Sequence, residues 1–226
     1  MKNTFGPAGF YKKALSIALP VMAQLLIQNM VSLIDNFMVA GLGDVKMSGV
    51  NVAGSINFIF LVFMTTVCNA GGIFMSQFNG AKDSGGMQQT FRFKLIVGIV
   101  SGMLFTAFCL INPAPVLALM VHGNTASGNI IAEAVIYEKV VAWSWLPMVI
   151  STAIASSLRE TGSVKTPLII SVIATLVNTC GNYILIYGNF GAPRLEVTGA
   201  AIATIIARLV EMITFIIYIN IKRPAF

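Results

Sequence analysis

The sequence predicts an all-α, polytopic membrane protein of about six transmembrane helices, and three observations predict it. Hydrophobic residues make up 57% of the 226 and charged residues only 10%, with a mean hydropathy of +0.85, against roughly a quarter charged in an average soluble domain. Long apolar runs recur six times, separated by clusters of Gly, Pro, Asn and Asp. The Lys and Arg residues behind the net charge of +6 sit in short segments between those runs instead of forming a water-facing stripe, which argues against a nucleic-acid partner and for a lipid bilayer.

Windows of about 19 residues place the spans at Ala14–Ala40, Val50–Phe78, Lys94–Asn112, Ala134–Ser157, Pro167–Gly188 and Val197–Ile221. Residues 1–13 and 222–226 are then read as short cytoplasmic ends around a six-helix transmembrane lobe over 14–221. Gly41-Leu-Gly-Asp44 breaks the first run from the second, residues 79–86 the second from the third, Asn112-Pro-Ala-Pro115 the third from the fourth, and Gly191-Ala-Pro193 precedes the sixth. The first run is too long and too polar for a signal-peptide core and is expected to remain as a span. With the N-terminus inside, the inner segments hold ten of the 14 Lys and Arg residues, the outer loops only Lys46 and Arg194, and the spans Lys139 and Arg208. That bias puts both termini in the cytoplasm and the chain in the cell membrane.

The first span carries Pro20, Gln24, Gln28, Ser32 and Asp35 at spacings of three or four, hence on one face. A carboxylate at that depth is costly in lipid, so Asp35 is expected to face a wet cavity and serve ions or substrate; the competing reading is a helix-end cap near the outer interface. Pro20 removes one backbone hydrogen bond, which makes it either a hinge or an ordinary packed kink. The fifth span repeats the pattern with Ser171, Thr175, Asn178 and Asn182. Its two asparagines can offer oxygens to a hard cation or amide hydrogens to a carboxylate, or simply bond to neighbouring helices. In the sixth, Gly199, Ala200, Ala203 and Ala207 suit close packing, and Arg208 and Glu211, three apart, suit a structural ion pair. Gly98 and Gly102 in the third are expected to pack. Glu133, Glu138 and Lys139 are placed at the membrane interface, with Trp143 and Trp145 as belt residues, and His122 in an outer loop. Cys68, Cys109 and Cys180 have no metal-binding or disulfide spacing, and no hydrolase, phosphate-loop or metalloprotease motif is present; neither an enzyme nor a cofactor is expected.

Leu19-Pro-Val-Met-Ala-Gln24, then Asp35 and Gly41-Leu-Gly43, resembles the first helix and following loop of the multidrug and toxic compound extrusion (MATE) transporters. Residues 159–167, Asn178 and residues 199–204 continue the resemblance in order across nearly the whole chain. The resemblance implies export of cationic or amphipathic small molecules, driven by protons or sodium through alternating access. It also implies an ion-coupling acid at Asp35, supported by Asn178, Asn182 and Thr204 as a possible sodium site, with Tyr137 at a matching position; Pro20, Gln24 and Gln28 of the polar stripe are placed with Tyr137 at the substrate cavity or hinge. Asn182 departs from the family pattern, which has an acid there in some members; an amide cannot take up a proton. Family members generally have two six-helix lobes, so this chain is expected to be one half, completed by a second lobe or a second copy. A lipid-linked saccharide flippase, with Arg208 as its one candidate cation, and a non-transporting fragment or interaction subunit are the alternatives.

Overall fold

A computed structural model describes residues 8–121 and 127–226. Among these there is no strand, and eight helices follow one another: α1 (Ala8–Ala40), α2 (Asp44–Ala81), α3 (Ser84–Ile111), α4 (Ala114–Met120), α5 (Ser127–Val141), α6 (Trp145–Glu160), α7 (Lys165–Tyr187) and α8 (Glu196–Lys222). Six stretches are long and apolar enough to cross a membrane, as the run pattern predicts. α5 and α6 form a single span, Gly128–Glu160, joined through a turn of 3₁₀ helix at Ala142–Ser144. His122 lies outside the described residues, and α4 is a short helix that the run pattern does not anticipate.

The breaks have local causes. Gly43 turns between α1 and α2 at a φ of 105° that side chains rarely adopt. Asp83 caps α3, its Oδ1 accepting from Gly86 N–H at 3.1 Å. Pro113 follows the end of α3, where it cannot continue the ladder. α6 closes with Ser163 N–H bonded to Leu158 C=O at 2.8 Å and Gly162 in the left-handed region, a Schellman-like stop.

α2 packs against α3, α5 and α6, while α7 lies between α8 and α1. Gly98 and Gly102 do face a neighbouring helix: a Cβ at Gly98 would meet Val149 Cγ1 of α6 at 2.5 Å. At the α7–α8 contact a Cβ at Gly199 would strike backbone, the Leu185 carbonyl oxygen, also at 2.5 Å. Phe60 stacks on Phe105 at 4.4 Å between ring centres, and Trp145 meets both edge-on at 4.8 and 5.2 Å. This aromatic node joins α2, α3 and α6 at the centre of one core cluster. α1 is the least covered span, with Leu19, Met22, Leu26, Met30 and Phe37 all exposed; in a membrane such a face meets lipid or another apolar surface without penalty.

Three placements differ from the expectations. Trp145 is buried in that node instead of the interfacial belt, whereas Trp143 is exposed. Glu138 is fully buried, because the fourth span begins at Gly128, six residues before the predicted edge, and carries it inward. The third span likewise begins at Ser84, so Lys94, counted among the loop cations, lies inside it at 0% exposure. There it pairs with Glu160 of α6 and lies 3.1 Å from Ser156 Oγ, its stem passing over Gly71. A cation at that depth is tolerated because its partner is a carboxylate and its environment supplies hydrogen bonds.

Candidate functional site

Asp35 projects from α1, three turns beyond Gln24, towards the asparagines of α7. Asn182 Nδ2 donates to Asp35 Oδ1 at 3.0 Å. Asn178, one turn away, satisfies its neighbours when its Nδ2 donates to Asp35 Oδ2 at 2.8 Å and its carbonyl oxygen faces Thr204 N and Oγ1 of α8, both at 3.3 Å. Each carboxylate oxygen thus receives one amide hydrogen. In the opposite amide orientation the Asn178 oxygen faces Asp35 Oδ2 at that same 2.8 Å, an arrangement of two acceptors that only a bridging cation or a proton would hold together.

Two further features define the electrostatics. Among the described residues the ion pairs are Lys46–Glu196, Lys94–Glu160, Arg194–Glu196 and Arg208–Glu211, so no Lys or Arg neutralises Asp35. The Asn182 side chain is buried and its Oδ1 has no hydrogen-bond partner. A carboxylate without a counter-ion therefore sits beside an orphaned carbonyl oxygen and a threonine hydroxyl, which is the chemistry of a small cation site with oxygen ligands.

The group opens onto a cavity of about 620 Å³, lined by Ser32, Asp35, Asn36, Tyr137, Asn182 and Thr204 among others. Ser32 and Asp35 come from α1, Asn51 and Ser55 from α2, Met120 from α4, Tyr137 from α5, Asn182 from α7 and Thr204 from α8, so six helices contribute to one pocket. The other members of the α1 stripe are placed differently. Gln24 is buried and donates to Ser171 Oγ at 3.0 Å; Ser171 donates to Glu211 Oε1 at 3.0 Å; Arg208 NH1 donates to Glu211 Oε2 at 2.8 Å. The predicted Arg208–Glu211 pair is present, and its extension ties α8 and α7 to α1. Gln24 consequently lies outside the cavity lining. Pro20 is half-buried in the continuous α1, one turn before Gln24. The side chain of Gln28 lies outside the described residues.

Sequence reasoning missed Asn57, whose Nδ2 donates to Glu138 Oε2 at 2.9 Å. An amide in the middle of the second apolar run was the available signal, with an acid inside the fourth run once that run is extended to Gly128.

The six helices long and apolar enough to cross a membrane thus form one bundle with a carboxylate-bearing pocket. A solved structure, a crystal structure of MATE in the bent conformation, matches it with a TM-score of 0.83 over 95% of this chain and 46% of that one, at 20% identity. The chain belongs to the MatE family, whose profile matches residues 20–184. It is 25% identical over 217 residues to a probable multidrug resistance protein NorM of Thermotoga maritima, covering 95% of this chain and 45% of the relative. The multidrug resistance protein NorM of Vibrio cholerae is 25% identical over 219 residues, covering 92% and 46%. The chain spans about half the length of the curated relatives it matches.

Proposed function

We propose that this chain is one six-helix lobe of an ion-coupled exporter of cationic or amphipathic small molecules, with Asp35 as the group that loads the coupling ion. The observation that carries the reading is Asp35 itself: a carboxylate on a cavity wall, without a basic partner, held between two amides and beside the unpartnered Asn182 Oδ1. A charge in a bundle interior is kept at a cost and usually serves ions or substrate.

Asp35, Asn182 Oδ1 and Thr204 Oγ1, joined by Asn178 after a half-turn of its amide, would supply the oxygens for sodium. A proton on Asp35 would occupy the same place, so the two ions compete. Loading either one cancels the charge that the two amide N–H groups now stabilise, releasing α7 from α1. Pro20 has no N–H to give to the preceding turn, which makes α1 deformable on the far side of Gln24. Asp35 is the one charged group among the pocket's lining residues, and the rest mix apolar and neutral polar side chains, which suits cationic or amphipathic cargo. The Lys and Arg bias supports cytoplasmic termini and a cell-membrane location. A second lobe would complete the cavity wall.

Arg208, the one candidate for holding a lipid phosphate in the flippase reading, is paired with Glu211, so no specific observation favours that alternative. Titration of the purified chain with sodium and with protons, wild type against Asp35→Asn, tests the proposal. Saturable binding that the substitution abolishes supports it; equal binding by both proteins refutes it.

A further inference from the structure

A second acid lies deeper in the bundle, outside the cavity. Glu138 of α5 is fully buried, at 0% exposure, with Asn57 of α2 and Cys109 of α3 as side-chain neighbours. Its neighbour Tyr137 lines the cavity, but Glu138 does not. Asn57 Nδ2 donates to Glu138 Oε2 at 2.9 Å. The other two polar atoms of this pair, Glu138 Oε1 and Asn57 Oδ1, are both buried and both without a hydrogen-bond partner.

Both orphans are acceptors, and that decides what is missing. An ionised carboxylate has no hydrogen to give, so it leaves each oxygen unsatisfied in an apolar core, where the desolvation cost is not recovered. A carboxylic acid and a carboxamide are complementary: with one amide N–H already given to Oε2, a proton on Oε1 supplies the donor for Asn57 Oδ1 and closes the pair. A metal ion is a poor alternative, because hard cations gather six or more oxygens and only these two are unpartnered here. Among the described residues no Lys or Arg is paired with Glu138 either. The Cys109 thiol of α3 also lies within hydrogen-bonding reach of Glu138, but a thiol is a weak donor and Asn57 Oδ1 is still left without one; the Tyr137 hydroxyl is the other titratable neighbour, α4 carries no charged residue, and the Arg208 and Glu211 charges of α8 are spent on each other.

We infer that Glu138 holds a proton on Oε1, shared with Asn57 Oδ1, as a proton-binding site separate from the Asp35 cavity. Its loss would place an uncompensated charge at the junction of α2, α3 and α5, so occupancy of this site locks those helices together. The inference does not depend on the role of Asp35.

Infrared difference spectroscopy on the full chain in lipid nanodiscs tests it. At neutral pH the protein should show the carbonyl stretch of a protonated carboxylic acid, displaced by ¹³C-labelled glutamate and by deuterium exchange. The band should disappear in Glu138→Gln, which keeps a donor for Asn57, and remain in Asp35→Asn. Absence of a protonated glutamate band in labelled wild type, or its survival in Glu138→Gln, would overturn the assignment. Should that variant not fold, Asn57→Leu provides the second reading: with both hydrogen bonds gone, the band must move, and an unmoved band refutes the pair.

Discussion

Replacing Asp35 by asparagine is the most direct perturbation of the proposed ion site, because it keeps the side chain's size and removes only its charge. The asparagine oxygen can still accept from one of the two amides, but its own NH₂ then faces another amide N–H, donor against donor. A sodium ion about 2.5 Å from a carboxylate oxygen, at an effective dielectric of about 20, interacts with it by roughly 7 kcal/mol. Losing even about 3 kcal/mol of that weakens binding roughly a hundredfold. The assay is isothermal titration of sodium into the purified chain at several pH values. Wild-type affinity should fall as pH falls, since protons fill the same carboxylate, whereas Asp35→Asn should bind weakly or not at all and show no such pH dependence. Asp44→Asn, the same charge change at the exposed start of α2, should bind like wild type. Unchanged sodium affinity in Asp35→Asn would refute the site.

Asn182→Leu removes an amide donor and the orphaned oxygen together, and sodium affinity should drop at least about tenfold, the equivalent of one lost ligand worth roughly 1.4 kcal/mol; equal affinity would exclude Asn182 from the site. Lys94→Met leaves Glu160 uncompensated in the α3–α6 contact, and the cost should be roughly 3–5 kcal/mol, seen as a lower thermal midpoint. The double variant Lys94→Met, Glu160→Leu should recover most of that loss, and failure to recover would show that the pair does more than neutralise itself. Phe60→Ala opens the aromatic node and should cost roughly 3–5 kcal/mol, read as a lower denaturation midpoint with ion binding retained in the surviving folded fraction. Gly98→Ala forces Val149 aside and should destabilise by about 1–3 kcal/mol, while the same change at Gly54, inside α2 where a Cβ meets nothing within 4 Å, should stabilise by about 0.5–1 kcal/mol.

The spans were legible because each is long, apolar and bounded by residues that cannot continue a helix, and all of that is local. Asp35, Asn178, Asn182 and Thr204 were legible as candidates for a related reason: a polar residue inside an apolar run is conspicuous, and helical spacing shows which of them share a face. The failures share a cause too. Lys94 and Glu138 were placed at interfaces because a charge near the end of an apolar run reads as the run's boundary. The helix continues past it whenever another segment supplies a partner, as Glu160 and Ser156 do for Lys94 and Asn57 does for Glu138.

By itself, the sequence determined which segments enter the bilayer, which residues would be expensive there, and the breaks that make the chain fold back on itself. Only the tertiary structure decided how the expensive groups are compensated: Gln24 turns into a buried chain with Ser171, Glu211 and Arg208, while Asp35, on the same stripe, meets two amides and an open cavity. Hydropathy and periodicity are properties of neighbours along the chain, but the free energy of a buried polar group is set by whichever donor or acceptor faces it. For Asp35 that partner lies 147 residues away in sequence, and for Glu138 it lies 81 residues away.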